Sequence, residues 1–370
     1  MKILFTGAIR RNGYATVKAL RKLGLQCDIL LPSNQLSEVL YDYQKDNVQD
    51  WIKLVDSLPI NFLLKIMRKA KINLDIYKYD LIHSRCLGAL SYIKIGLPYV
   101  EQSVGSDMRE LALQSGGLGK RITRHYKSAE KIIISQTDHI KICKKLNLNN
   151  YVYIPLLADT ENYFPDRNRI DFGNYDLTIF HPAHLDWTYT YGDRSAEKGN
   201  NKKYRSSTKG NDRLIKAFAK LVKSGYRSLL IILERGIDVE ETKELIADLG
   251  ISKHVIWHKE MDSLSLRKYF SSVDLVADQF DCGSLGLIAY DAMLCGAPVM
   301  GFLDEESAKF CYEELPPIIN LQSEDQLYSS LTKMASLDLK DIGASSRKWV
   351  LRNHSASYVC GQLKKVYEGI

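Results

Sequence analysis

The sequence lacks the long apolar runs and paired cysteines that would place it in a membrane or in an oxidising compartment. No stretch approaches the roughly 20 apolar residues of a membrane-spanning helix. The short apolar run at the start is closed by Arg10 and Arg11, which is typical of a first strand rather than of a signal peptide. The seven cysteines include no CxxC pair, which favours free thiols. These absences predict a cytoplasmic protein.

Several motifs that define other classes of enzyme are also missing. The glycines after the first apolar run follow neither GxGxxG nor the P-loop pattern, which argues against a dehydrogenase and a P-loop nucleotidase. There is no GxSxG elbow of a hydrolase and no DxD motif for a divalent ion. His181 and His184 have HxxH spacing without an obvious third ligand, so no metal site is predicted.

Charge is distributed unevenly along the chain, whose formal net charge is +7. Residues 1–170 hold 26 Lys and Arg against 16 Asp and Glu, a net +10, whereas the remaining residues hold 25 against 28, a net −3. The basic and apolar segments 61–71 and 119–127 could contact an anionic membrane surface or an acidic acceptor. A solvated helix face explains them equally well. No recognised reading motif accompanies the charge, so nucleic acid is not a predicted partner.

Short apolar runs alternate with longer helical patterns throughout, which predicts an α/β protein built on parallel sheets. At 370 residues the chain exceeds what one hydrophobic core usually serves, so two domains are expected, with a linker over 155–175. The predicted strands are Lys2–Thr6, Gln26–Leu31, Leu81–Ser84, Tyr99–Gln102, Lys131–Ser135, Tyr151–Ile154, Leu177–His181, Ser228–Leu233, His254–His258, Asp274–Asp278, Ala297–Phe302 and Pro317–Asn320. The polar segment 188–208 is long for a strand–helix loop and is interpreted as a lid.

A lysine precedes a predicted helix in the second half of the chain. Lys209 and Gly210 follow the strand at 177–181 and the turn that carries His184, and ligands of open α/β sheets bind at such strand ends. A lysine there adds a full charge to the partial charge of the helix N-terminus, which suits a diphosphate that gains charge as it leaves. This position favours phosphate binding over a merely solvated lysine.

Small residues form a second candidate site. Gly283, Ser284 and Gly286 join a strand to a helix, where free N–H groups could hold phosphate or sugar oxygens. Asp291 lies within that helix and could accept hydrogen bonds from two ribose hydroxyls, although a structural salt bridge would satisfy it equally well. Gly13, placed before the first helix, would let the backbone approach a phosphate, but alone it indicates only a tight turn.

Together these segments resemble the retaining glycosyltransferases of family 4 over almost the whole chain. The most specific motif is GSLGLIAYDAMLCGAPVMGF, which begins at Gly283; Lys209-Gly210 and the segments 80–84, 104–110 and 154–159 add weaker support. The resemblance implies a GT-B fold, two Rossmann-like doubly wound domains facing a central cleft. Residues 1–160 would form the acceptor-side domain and 176–350 the nucleotide-sugar domain, with a last helix at about 351–370 crossing back to the first.

The resemblance also implies roles for particular residues. The catalytic set would be Lys209, His184 and Asp291, with Lys209 on the diphosphate and Asp291 on the ribose. The residues implied to bind the sugar donor are Gly13, Lys209, Lys259, Gly283, Ser284, Leu285, Gly286, Leu287 and Asp291. Within that set, the backbone at 284–287 would hold the diphosphate or sugar, and Lys259 would lie near the base.

Three positions depart from the family pattern. Gly283 and Asp291 stand where the family has the glutamates of E-x7-E, so the first carboxylate is absent. His184 stands where the family has an arginine, which leaves one charge fewer at neutral pH. Val104 stands where the family has a histidine near the reacting sugar. A basic residue of the inserted segment (Arg194, Lys198 or Arg205) could supply the missing charge.

The sequence therefore predicts a metal-independent retaining glycosyltransferase without a cofactor. Its sugar donor would be a nucleoside diphosphate sugar, with UDP favoured over GDP, and its acceptor a glycan or lipid-linked sugar in polysaccharide or glycoconjugate synthesis. The basic first domain could contact the inner face of an anionic membrane. Two alternatives stay open: a non-catalytic nucleotide-sugar or glycan-binding subunit, suggested by Gly283 and Val104, and a nucleotide-sugar epimerase on the same scaffold.

Overall fold

The computed structural model of the chain describes residues 1–7, 10–32, 50–55, 78–88, 96–188 and 208–370. These residues separate into two compact units. The first, unit 1, comprises Met1–Leu157 together with Ala356–Ile370, and the second, unit 2, comprises Ala158–Ser355. The chain thus leaves unit 1 after Leu157 and returns to it for the last helix.

Unit 1 is built on a parallel sheet of seven strands in the order β3-β2-β1-β4-β5-β6-β7. The strands are β1 (Lys2–Gly7), β2 (Gln26–Pro32), β3 (Ile52–Val55), β4 (Leu81–Arg85), β5 (Tyr99–Ser103), β6 (Lys131–Ile134) and β7 (Tyr151–Tyr153). Among the described residues of unit 1, the helices are α1 (Arg10–Lys22), α2 (Gly117–Lys127), α3 (His139–Lys145) and the returning C-terminal helix Ala356–Glu368, with a π-helical turn at Asp107–Leu111. β4 and β5 are buried along their whole length, as expected of central parallel strands.

Unit 2 repeats this plan with six parallel strands in the order β10-β9-β8-β11-β12-β13. The strands are β8 (Leu177–His181), β9 (Ser228–Leu233), β10 (Val255–His258), β11 (Leu275–Ala277), β12 (Val299–Gly301) and β13 (Ile319–Asn320). The helices are α4 (Asn211–Lys223), α5 (Val239–Asp248), α6 (Ser263–Ser272), α7 (Leu287–Leu294), α8 (Glu305–Lys309), α9 (Glu324–Met334) and α10 (Lys340–Asn353), which makes the C-terminal helix α11 (Ala356–Glu368).

The strand order reverses once in each sheet, between β1 and β4 in unit 1 and between β8 and β11 in unit 2. Doubly wound sheets bind their ligands outside the carboxyl ends of the strands at such a switch point. Two crevices are therefore defined by topology alone, one in each unit.

The structure confirms the predicted α/β class and contains all twelve predicted strands, with ends that differ by at most two residues. The sequence interpretation omitted β3, a short strand that pairs with β2 at the edge of the sheet. The polar segment predicted to be a lid lies largely outside the described residues, since only Thr188 and Thr208 of it are described.

The expectation that Gly13 precedes the first helix is wrong, because α1 begins at Arg10 and Gly13 lies within it. The turn is made instead by Gly7, the last residue of β1, which has φ +99°. A Cβ on Gly7 would lie 1.9 Å from the Arg85 carbonyl oxygen, so only glycine fits there.

Helix α11 completes the core of unit 1. Val359, Cys360, Leu363 and Tyr367 are buried in the same cluster as Ile3, Val17 and Ile29, which come from β1, α1 and β2. The Tyr367 hydroxyl also lies 2.6 Å from Nδ1 of His83 in β4. The last helix is therefore a structural part of the first unit.

Candidate functional site

The crevice of unit 2 is bounded by the turn after β8, the residues before α4 and the segment after β11. Gly210 caps α4 in a left-handed conformation, φ +66° and ψ 28°, which allows Lys209 to precede the helix directly. The Lys209 N–H donates to the Asp186 carbonyl at 2.6 Å, and the Lys209 carbonyl accepts from the Phe280 N–H at 2.8 Å. The backbone of Lys209 is thus fixed between the β8 turn and the segment after β11.

The side chain of Lys209 joins this frame to the small-residue turn 283–286. Its Nζ donates to Oε1 of Gln279, and Nε2 of Gln279 donates to the Ser284 carbonyl. Gln279 is buried, whereas Lys209 is half-buried. The lysine therefore stands at the edge of the crevice with its ammonium group held over the turn.

Asp278 lies beneath the same turn and is fully buried in the unit 2 core. Its Oδ2 accepts the Gly286 N–H at 2.7 Å, so this amide is already used within the protein. Burial raises the pKa of Asp278 to about 6, although the Gly286 N–H and the charge of Lys209 act in the opposite direction. Asp278 and Gln279 together determine where the turn sits, and neither was among the predicted site residues.

The turn leads into α7, which begins at Leu287 after the cap residue Gly286. Ser284 and Leu285 are buried, while Leu287 is 36% exposed and its N–H belongs to the first turn, which has no acceptor within the helix. Asp291 lies one turn further along and is half-buried.

Gly283 has a backbone reason to be glycine. Its φ is +72°, and a Cβ there would lie 3.0 Å from Cβ of Asp304. The Gly283 carbonyl also accepts the Asp304 N–H at 3.0 Å, which fixes the turn against the start of α8. A side chain at this position, including the glutamate that the resemblance implies for it, would therefore strain the backbone that this chain adopts.

An arginine that sequence reasoning missed lies beside His184. Nη2 of Arg235, two residues beyond β9, donates to Nε2 of His184 at 2.7 Å. Since a guanidinium only donates, Nε2 of His184 must be the acceptor, and the ring is then neutral with its proton on Nδ1. The positive charge that His184 lacks is thus supplied by Arg235, which an isolated pairing of Leu185 with Gly236 brings alongside the β8 turn.

The other histidine of the HxxH pair has a structural role. His181 is fully buried, its Nδ1 lies 2.9 Å from the Ala277 carbonyl, and its Nε2 accepts from Nδ2 of Asn211 at 2.7 Å. Asn211 also accepts the Asp186 N–H at 3.0 Å, so it ties the β8 turn to the start of α4. Among the described residues, no three His, Cys, Asp or Glu side chains are grouped so that they could hold a metal ion.

The remaining predicted residues are Lys259 and three basic residues of the inserted segment. Lys259 follows β10 and is exposed, and among the described residues no hydrogen bond or ion pair joins it to Lys209 or to the turn 283–286. Arg194, Lys198 and Arg205 lie outside the described residues. In the part of the chain that the structure describes, no helix is long and apolar enough to cross a membrane.

Residues 203–303 match the family model described as glycosyl transferases group 1. The matched segment contains Lys209, Arg235, Asp278, the turn 283–286 and Asp291. It therefore covers the candidate site except for the β8 turn. No curated protein matches the sequence at a significant level.

Solved structures match the whole chain at low sequence identity. The sucrose-phosphate synthase of Thermosynechococcus elongatus aligns with a TM-score of 0.73 and 13% identity over 100% of this chain and 98% of its own. Anabaena HepE in complex with UDP-glucose aligns with a TM-score of 0.70 and 14% identity over 100% of both chains. A glycosyltransferase from Rickettsia africae aligns with a TM-score of 0.68 and 12% identity over 100% and 98%. The chain therefore has the two-domain, Rossmann-like GT-B fold, and its second unit carries the segment that matches the group 1 glycosyl transferases.

Proposed function

We propose that this chain is a glycosyltransferase that takes a sugar from a nucleoside diphosphate sugar. The observation that carries the proposal is the link from Lys209 through Gln279 to the turn 283–286, at the switch point of unit 2 and inside the matched segment. A half-buried lysine and the first turns of two helices present positive charge at one strand end, which suits a diphosphate.

In the proposed reaction, the bond between the anomeric carbon and the diphosphate oxygen breaks, and a bond from that carbon to the acceptor oxygen forms. The acceptor proton passes to the departing diphosphate, so no side-chain nucleophile is needed. Lys209 and Arg235 stabilise the charge that develops on the diphosphate, because fixed charges need little rearrangement during the reaction. Asp291, in the second turn of α7, accepts hydrogen bonds from the ribose.

The nucleotide, the stereochemistry and the acceptor complete the proposal. UDP is the favoured nucleotide, since Anabaena HepE has the same fold and was solved with UDP-glucose. Retention of configuration, a metal-free site and a glycan or lipid-linked acceptor follow from the resemblance to family 4. The acceptor and any contact with an anionic membrane are assigned to the basic first unit.

A second candidate function is a subunit that binds nucleotide sugars without catalysis. Gly283 favours it, because the family carboxylate that touches the transferred sugar has no equivalent at that position. The two candidates share the nucleotide site, so nucleotide binding supports both and only turnover separates them.

The first experiment measures thermal stabilisation of the full chain by UDP, GDP, CMP and NAD. We expect one nucleoside diphosphate to stabilise the wild type and the control Lys223→Ala, which changes an exposed lysine at the far end of α4. Stabilisation should be lost in Lys209→Ala and strongly reduced in Asp291→Asn. Stabilisation by NAD alone, or by none of the four, would overturn the proposal. Sugar transfer from the matching nucleotide sugar then separates the enzyme from the binding subunit.

A further inference from the structure

His184 and Arg235 of the proposed sugar-donor site lie on two different loops of unit 2, and contacts between the loops bring them together. One loop is the β8 turn, residues 182–188, and the other is the β9 turn, residues 234–238. The Leu185 N–H donates to the Arg235 carbonyl at 2.8 Å. The backbone of Arg235 is therefore fixed against the β8 turn, and whatever holds that turn also determines where the arginine lies.

Asp238, the last residue of the β9 turn, gives its carboxylate to the β8 turn. The residue is 1% exposed. Its Oδ2 accepts the Trp187 N–H at 2.5 Å and the Thr188 N–H at 3.0 Å, and its Oδ1 accepts the Thr188 hydroxyl at 2.7 Å. A buried carboxylate needs such donors, because without them its burial is strongly unfavourable. One side chain of the β9 turn thus binds the end of the β8 turn.

The position of Asp238 before α5 would ordinarily indicate a helix cap. An aspartate at this place usually accepts an N–H group from the first turn of its own helix. In α5, which is described over its whole length, no N–H group donates to the Asp238 side chain. The carboxylate binds the β8 turn instead, so capping of α5 does not explain it.

A second aspartate makes the connection between the two turns reciprocal. Asp186 lies in the β8 turn and is 4% exposed, and its Oδ1 accepts the Ile237 N–H at 3.1 Å. The Asp186 carbonyl also accepts the Lys209 N–H at 2.6 Å. Because Lys209 and Arg235 are both bonded to the β8 turn, one frame holds the two cations that are proposed to bind the diphosphate.

Two further contacts attach the β8 turn to the start of α5. Nε1 of Trp187 donates to Oγ1 of Thr242 at 2.8 Å, and that hydroxyl donates to the Asp238 carbonyl at 2.5 Å. The Asp238 N–H also donates to the Leu185 carbonyl at 3.0 Å. These bonds do not use the Asp238 carboxylate. We therefore expect a variant without the carboxylate to fold, with a β8 turn that is attached but less well fixed.

We propose that Asp238 is a positioning residue of the sugar-donor site, which holds the β8 turn so that Arg235 and Lys209 are fixed beside the departing diphosphate. The proposal rests on the proposed function, because it takes these two cations as the groups that bind the diphosphate. Asp238 is buried and its oxygens accept from the β8 turn, so it acts through that turn and does not touch the donor. Cations that are already in place need little rearrangement during the reaction.

The test measures the affinity of the full chain for UDP by titration calorimetry, or for GDP if GDP is the nucleotide that stabilises the wild type. We expect Asp238→Ala to bind it about 10-fold more weakly, because the turn that carries Arg235 is no longer fixed. Asp238→Asn should recover most of the affinity, since its oxygen can accept the two N–H groups and its amide can donate to the Thr188 hydroxyl oxygen. The matched control is Asp248→Ala, which changes the exposed aspartate at the other end of α5 and should bind normally.

Asp238→Ser separates positioning from the folding of α5. Serine is a preferred residue before a helix, so this variant keeps a cap for α5. Its side chain is shorter and has one oxygen in place of two, so it cannot replace the three hydrogen bonds to the β8 turn. Its affinity for the nucleotide should fall as in Asp238→Ala, while its melting temperature should stay closer to that of the wild type.

A double-mutant cycle with Arg235→Met tests whether Asp238 acts through the arginine. If it does, the double variant loses less affinity than the product of the two single losses, because each change removes part of the same interaction. A residue that only stabilises the fold gives losses that multiply.

Three results would overturn the proposal. In the first, Asp238→Ala and Asp238→Ser bind the nucleotide as tightly as the wild type, and in the second, the losses in the cycle multiply. In the third, Asp238→Ala and Asp238→Asn change the affinity equally, which would mean that the charge of the aspartate acts and its hydrogen bonds do not. Failure of the proposed function is a separate result, in which the wild type binds neither UDP nor GDP.

Discussion

The Tyr367 hydroxyl donates to Nδ1 of His83 at 2.6 Å, and Nε2 of His83 lies 3.0 Å from Oε1 of Gln102. Since the Gln102 oxygen only accepts, Nε2 carries the proton and Nδ1 is the acceptor. Loss of the tyrosine hydroxyl would leave a buried nitrogen without a donor. We expect Tyr367→Phe to lower the free energy of unfolding by about 1–3 kcal/mol. Calorimetry of this variant beside Tyr358→Phe, which changes an exposed tyrosine of the same helix, tests the expectation.

Burial lowers the pKa of His83 to about 3 and that of His181 to about 4. Unfolding restores an ordinary histidine pKa near 6.5, so the unfolded chain binds more protons below that pH. The stability from neutral burial is therefore complete above about pH 6.5 and is lost as the pH falls. Between pH 6.5 and 5 each histidine should cost about 2 kcal/mol. His83→Gln should flatten this dependence in chemical unfolding, and an unchanged slope would contradict the assignment.

The pKa shift of Asp278 makes the stability of the fold change with pH in the opposite direction. Its pKa in the folded protein, about 6, lies above that of an unfolded aspartate, so the folded state keeps the proton to higher pH. Its ionisation therefore lowers stability as the pH rises from about 4 to 6, by up to about 3 kcal/mol. We expect Asp278→Asn to raise the melting temperature at pH 7.5 and to change it little at pH 4. The asparagine oxygen can still accept the Gly286 N–H, so a melting temperature lowered at pH 7.5 would contradict this account.

Gly283 is expected to resist replacement by the carboxylate that the family has at this position. Gly283→Ala should lower stability by about 1–3 kcal/mol, because φ is +72° and the new Cβ meets Asp304. Gly225→Ala is the matched control, since Gly225 has φ +94° and nothing within 4 Å of its added Cβ. Thermal melts should show the larger loss at Gly283. Gly283→Glu should not increase sugar transfer, and a gain in turnover would show that the backbone adapts.

Arg235 is predicted to share the diphosphate with Lys209. Arg235→Met should weaken binding of the stabilising nucleoside diphosphate about 10- to 100-fold, the usual range for a lost hydrogen bond to a charged group. Arg227→Met, which changes an exposed arginine at the opposite end of the same strand, should bind normally. Titration calorimetry distinguishes the two variants. If the two variants bind the nucleoside diphosphate with equal affinity, Arg235 does not contact the diphosphate and only holds His184 in place.

The sequence predicted elements better than the contacts between them. Apolar runs located twelve strands correctly, since each is a local pattern, whereas β3 is short and carries a lysine at its second position. Gly13 was expected to precede the first helix, and the structure places it inside α1, because the conformation of a glycine is not visible in a sequence. The Gly7 assignment depends on the approach of Arg85, which lies far away in the chain.

In the candidate site, too, the residues with a local signal were predicted and those defined by distant contacts were missed. Lys209 and the turn 283–286 follow from local signals, a charge before a helix and a run of small residues. Gln279 belongs to the site because it contacts Lys209, 70 positions away in the chain. Arg235 belongs to it because it contacts His184, 51 positions away. Such partners are set by strand order rather than by spacing. In the sequence, the signal for Arg235 is its position just after the apolar run of β9.

Because the chain leaves unit 1 after Leu157 and returns at Ala356, unit 2 is an insertion into unit 1. On the ribosome, unit 1 is synthesised first, but it gains Leu363 and Tyr367 only after the whole of unit 2 has emerged. The unit whose synthesis starts second is thus the first to be complete. Until α11 is synthesised, the apolar residues of α1 and β1 that share a core with it lack that part of their packing.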